Sequence, residues 1–165
     1  MTEGQIYLLD TSVLVEAYRR YYAFDIAPRF WEQLINNANN GRIISIDRVR
    51  DELVRGKDDL AKWAKDEFTE AFASTNDDDV IKSFADIITW SQNQSQYTDA
   101  AKAEFANGAD GWLVAYAKVK NVVVVTQEVH APDSKTDIKI PTACHACKVK
   151  PIDTFEMMRK LGISF

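Results

Sequence analysis

Long apolar runs, positive charge and cysteine are what this chain of 165 residues has least of. No apolar stretch approaches the roughly 20 residues that a membrane-spanning helix needs, so no membrane partner is expected. Basic residues number 20 against 25 acidic ones, for a formal net charge of −5. That balance argues against a protein that holds nucleic acid by a global positive field. It leaves room for an enzyme with a local basic patch, and it suits a site whose own charge needs a cation. The two cysteines, Cys144 and Cys147, stand in the short run CHAC. Two cysteines in a chain of this length are not a disulfide scaffold. A zinc site wants four ligands, and His145 is the one nearby addition, with His130 the only other histidine. Cys144 therefore reads as a small buried hydrophobe and Cys147 as a bystander. The N-terminal MTEGQIYLLD lacks the basic flank and small-residue cleavage site of a signal peptide, which points to the cytoplasm. There are no repeats and no low-complexity linker. At 46% hydrophobic and 27% charged residues, the chain can build a core as a single domain over 1–165.

Hydrophobic spacing then orders the chain. Residues 6–9 read as a short buried strand, and 13–22 as a helix with Leu14, Ala17, Tyr18 and Tyr21 on one face. APRFWEQLINNANNG is a helix with Gly41 as its stop, and RIISI is a second strand. Asp47 is placed to cap RVRDELVR, which stops at Gly56. KDDLAKWAKDEFTEAF and DDDVIKSFADIITWSQ both carry helical apolar stripes, and the leading aspartates of the second favour a helix N-terminus. TDAAKAEF is a weaker helix and NGADGWLVAYAKVK a stronger one. It feeds NVVVVT, whose unbroken valines mark a central parallel strand covered on both faces. EVHAPDSKTDIKIP is a polar loop and KVKPID a last strand. DTFEMMRKLG closes the chain as a helix, with Asp153 and Glu156 at capping-box spacing and Gly162 as its stop. Alternating strands and helices predict an α/β fold with a mainly parallel sheet. The helices between about 58 and 107 exceed one crossover and read as a helical insertion.

Four acidic residues end or begin elements. Asp10 follows the first strand directly, where a carboxylate is costly to bury, and Thr11 and Ser12 offer it hydrogen bonds. Glu128 lies just past Thr126 at the end of the valine strand. Asp110 opens the helix leading into that strand, and Glu52 sits on the helix after RIISI. Ligands of open parallel sheets lie beyond the carboxyl ends of the strands, and this topology can bring all four there. Each has an ordinary reading too: a helix-terminal charge for Asp110, a solvated helix residue for Glu52, a loop carboxylate for Glu128. Together on one edge they repel one another unless a cation is present. The fitting cation is a hard divalent ion with oxygen ligands, Mg²⁺ or Mn²⁺.

IYLLDTSVLVEAY, SIDRVRDELVRG, NGADGWLVAYA and VVVVTQE, in that order, resemble the four signature blocks of the PIN-domain nucleases. The closing IPTACHACKVKPIDTFEMMRKLG is similar to a bacterial branch of PIN-like proteins known mainly as a domain of unknown function and often regarded as toxins of toxin–antitoxin pairs. The resemblance implies a three-layer α/β/α fold and a Mg²⁺- or Mn²⁺-dependent ribonuclease acting on single-stranded RNA. It also implies an antitoxin partner and a homodimer, the latter common among such proteins. By matching motifs, Asp10, Glu52, Asp110 and Glu128 take the acidic, metal-binding positions, with Thr11, Ser12 and Thr126 supporting them. Glu128 departs from the commoner pattern, which has an aspartate there.

The expected chemistry is in-line attack of water on an RNA phosphodiester, leaving 5′-phosphate and 3′-hydroxyl ends. Arg48, Arg50, Arg55 and Lys57 crowd the helix that holds Glu52 and could guide an RNA backbone. The simpler reading is that they are ordinary solvated helix charges. The tryptophans Trp31, Trp63 and Trp90 sit at core spacing, while Tyr21 and Tyr22 stay open. A non-catalytic interaction module on the same fold is the alternative. A phosphatase with an aspartyl nucleophile on the first strand wants a second aspartate two positions on, where this chain has Ser12.

Overall fold

A computed structural model describes residues 4–165, so the first three residues of the segment read for a leader lie outside it. Strand β1 (Tyr7–Leu9) is fully buried and gives way at once to α1 (Thr11–Glu16). Helix α2 (Pro28–Asn39) starts with proline in its first turn, where no amide hydrogen is missed, and returns the chain to β2 (Ile43–Ile46). Helices α3 (Asp47–Arg55) and α4 (Asp59–Asp66) follow, then β3 (Phe72–Ala73), α5 (Asp78–Gln92) and α6 (Asp99–Asn107). The second half runs α7 (Asp110–Lys120), β4 (Val123–Val125), α8 (Ile140–Cys147), β5 (Pro151–Ile152) and α9 (Thr154–Leu161). All five strands are parallel, in the order β3-β2-β1-β4-β5, with helices packed around them. The fold is α/β with a parallel central sheet, consistent with three α/β/α layers. Among the described residues no helix is long and apolar enough to cross a membrane.

The core is built from the strand residues Leu8, Leu9, Ile43, Ile46, Val124 and Val125, with Phe30, Leu34, Phe68 and Leu113 closing over them. Trp31 and Trp63 are buried and pack edge to face, 4.9 Å between ring centroids. Trp90 is only half-buried. Cys144 and Cys147 are free thiols, both buried. Burial pushes Cys144 well above the usual thiol range, so it packs as a hydrophobe.

Several elements differ from the reading of the sequence. The helix expected to run to Phe72 ends at Asp66, and Phe72–Ala73 instead pair with Ser45 and Ile46 as an edge strand. The stretch 58–107 is therefore not a helical insertion alone, because it supplies one strand of the sheet. The first helix does not stay α-helical to Tyr22. It loosens into a π-helical turn over Ala17–Tyr21, which carries extra residues per turn and shifts the register. Tyr21, expected on the buried face, is 51% exposed as a result. Asp47 does not cap α3: Ile46 holds the N-cap position and offers no side-chain bond. The Asp47 carboxylate reaches across to the amide and hydroxyl of Thr75 at 3.0 and 2.9 Å. Ile140 and Pro141, read as the end of the polar loop, instead open α8, which continues through TACHAC, a stretch assigned to no element. The caps at Asp58, Asp77, Thr98 and Asp153 each accept an amide of the first helical turn.

Candidate functional site

The strand order reverses between β1 and β4, the two central neighbours. In open parallel sheets the crevice beyond the strand ends at such a reversal is where ligands bind. Asp10 is the first residue past β1 and Thr126 the first past β4, so both stand at that point. Asp10 is 2% exposed. It caps α1 through Oδ1, which accepts the Ser12 amide, while Oδ2 accepts the Ser12 hydroxyl at 2.8 Å and the Thr126 hydroxyl. The two hydroxyls in turn accept amides of the loop after β4: Gln127 N–H to Ser12 Oγ and Glu128 N–H to Thr126 Oγ1, each at 3.0 Å. Each hydroxyl thus passes a backbone dipole on to the carboxylate, and the loop is tied to Asp10.

Asp110 is placed by how α5 and α7 meet. Gly111 lets Phe84 of α5 come close, since a Cβ there would stand 3.1 Å from the Phe84 ring. Phe84 stacks on Trp112 at 3.8 Å between centroids. The Arg48 guanidinium lies 4.0 Å over Trp112 and donates to Thr75 Oγ1 at 3.2 Å. Arg48, one of the residues considered for RNA contact, is thus engaged in holding α3 against α7. Arg55 donates to the Asp51 carbonyl, and Arg50 and Lys57 have no side-chain partner among the described residues.

The electrostatics of the edge follow from burial and like charge. Burial first, then Asp10, Glu128, Glu52 and Glu104, push the Asp110 carboxyl up to about 8. Burial raises Asp10 to about 6, against the hydrogen bonds of Thr126 and Ser12, with Glu128 adding to the rise. Glu52 is raised mainly by burial, opposed by the Ala109 amide and Arg55. Its Oε1 is buried with no hydrogen-bond partner, and so is Thr11 Oγ1. Glu128 is partly committed: its Oε1 accepts the Ile140 amide at 2.8 Å and holds the start of α8. Asp110 and Glu128 line a pocket of about 160 Å³ together with Glu104, Asp137 and Lys139. Glu104 and Asp137 were not singled out from the sequence, since each reads there as an exposed charge on a weak helix or a loop.

The four carboxylates act on a common edge, yet among the described residues no three His, Cys, Asp or Glu side chains stand together at metal-ligand spacing. Like charges oppose any closer approach. The donor set is all oxygen, which suits a hard divalent cation, and the orphaned Glu52 oxygen is the kind of buried acceptor a cation would satisfy.

No curated protein matches the chain. Residues 7–165, nearly the whole length, match the profile of a domain of unknown function, DUF4411, and the chain belongs to that family.

Proposed function

We propose that the protein is a divalent-metal-dependent endoribonuclease of the PIN-like kind, acting as the toxin of a toxin–antitoxin pair. The observation that carries the proposal is that Asp10 and Glu128 stand past the ends of β1 and β4, at the reversal of strand order, and that Glu128 shares a pocket with Asp110. Asp10, Asp110 and Glu52 are the residues that would hold Mg²⁺ or Mn²⁺, with Glu128 beside them. Such an ion, when bound, supplies charge to a phosphodiester and lowers the pKa of water. The chain's own groups do the rest. Ser12 and Thr126 fix the Asp10 carboxylate in one orientation. Glu128, anchored through Oε1 to Ile140, keeps its other oxygen for accepting the proton of an attacking water.

The test is labelled single-stranded RNA with Mn²⁺ or Mg²⁺ and with chelator. Cleavage to 5′-phosphate products is expected only with metal, and Asp110→Asn lowers the rate by about a hundredfold or more. Cleavage that survives chelation overturns the proposal. A chain that neither cuts RNA nor binds Mn²⁺ in a calorimetric titration fits the interaction module instead.

A further inference from the structure

The opposite end of the sheet carries charge of the other sign. Where β1 and β4 begin, a hollow of about 380 Å³ is lined by Lys118, Lys148 and Lys150, with the amides Gln5 and Asn121. Ala117, Val122, Val123, Cys147 and Val149 also line it. A second hollow of about 130 Å³ shares Gln5, Val123 and Lys150 with the first and adds Lys160. Among the described residues no carboxylate lines either one, although acidic residues outnumber basic ones in the chain.

Cations near helix C-termini offset the helix dipole, and Lys118, Lys148 and Lys160 each stand at such an end. That accounts for them singly. It does not account for Lys150, which belongs to no helix and is tied to the sheet by its carbonyl, 3.0 Å from the Val124 amide. Nor does it account for the contrast with Lys120, which pairs with Asp77 at 3.0 Å and lies outside both hollows. Among the described residues none of the four lining lysines makes an ion pair. Lys118 of α7, Lys148 at the end of α8 and Lys150 just before β5 line the same hollow, so cations from separate elements converge. Lys148 and Asn121 also both hold the left-handed backbone conformation, φ 61° and 56°. They are the C-cap residues of α8 and α7. The hollow is of a size that small molecules occupy, and its lysines stand beside buried apolar side chains.

We propose that this hollow binds a small organic phosphate of nucleotide size. Lys118, Lys148 and Lys150 hold the phosphate, and the organic part lies on Ala117, Val122 and Val149. The site is independent of the acidic edge and of the nuclease reading.

The full chain is titrated calorimetrically in EDTA, at fixed ionic strength, with AMP, inorganic phosphate and hexaadenylate. AMP is expected to bind about tenfold more tightly than inorganic phosphate. Lys118→Ala/Lys150→Ala, and separately Lys118→Gln/Lys150→Gln should the first fold poorly, weaken AMP about tenfold or more, the scale of lost charge-assisted hydrogen bonds. Lys62→Ala/Lys65→Ala on α4, with the same change in charge, leaves AMP binding unchanged. Hexaadenylate binding no better than AMP identifies a free nucleotide as the source of the phosphate, and much tighter binding that the Lys118/Lys150 variants weaken identifies an RNA chain; both sustain the site. Absence of AMP binding, equal binding of AMP and inorganic phosphate, or an equal loss in the α4 variant overturns the proposal.

Discussion

Asp110 makes the strongest statement at the scale of single residues. Its carboxyl ionises near 3.8 in an unfolded chain and near 8 in the folded one. Between those values the folded chain holds a proton that the unfolded chain has lost, so the contribution to stability is present at low pH and is lost as pH rises through about 8. Asp110→Asn removes that penalty. In EDTA at pH 8 the variant is expected to melt above the parent by at least about 1 kcal/mol, on the order of 2–4 °C for a domain of this size. The gain shrinks at pH 5. Thermal melts at the two pH values check this, and an equal or lower melting temperature at pH 8 contradicts it. Asp10 was legible in the sequence because a carboxylate directly after a buried strand has few ordinary explanations. The commitment of Glu128 to the Ile140 amide was not, since it depends on where the polar loop 127–139 returns.

Glu128 links the site to an element, because one of its oxygens begins α8. Losing a side-chain acceptor at a helix start typically costs about 1 kcal/mol. In Glu128→Ala the Ile140 amide is therefore expected to exchange with solvent about five- to tenfold faster, whereas Glu128→Gln, which keeps a carbonyl acceptor, preserves its protection. Native-state hydrogen exchange distinguishes the two, and equal protection in all three proteins would show the bond to be incidental. Elements with strong local signals were readable in advance: the valine strand, the capped α5 and α9, and the glycine-stopped helices. Phe72–Ala73 was not, because its apolar residues continue the helical spacing of α4, and only pairing with β2 makes it a strand. The π-helical turn was hidden as well, since nothing in AYRRY differs from an ordinary helix until Tyr22 closes back on the Ala17 carbonyl at 2.7 Å.

Among the described residues, Asp10 and Glu128 stand beyond the ends of β1 and β4, and Lys118, Lys148 and Lys150 line a hollow where those strands begin. The parallel sheet could be inferred from alternation of elements, but not the strand order. That order rests on pairings between segments as distant as Tyr7 and Val123, made by strands of two to four residues. Under the proposed function, Mn²⁺ at the acidic edge binds the folded chain alone and raises its melting temperature. The increase is expected to be larger at pH 8 than at pH 5, because protons compete for Asp10 and Asp110. A shift of the same size at both pH values would mean the ion binds elsewhere.

One detail of that edge limits how a cation can be met. A carboxylate offers about four lone pairs. On Asp10, Oδ2 gives two to the Ser12 and Thr126 hydroxyls and Oδ1 gives one to the Ser12 amide. A single unshared pair is left, on Oδ1. Under the proposed function, Asp10 therefore contributes only monodentate coordination and does not chelate.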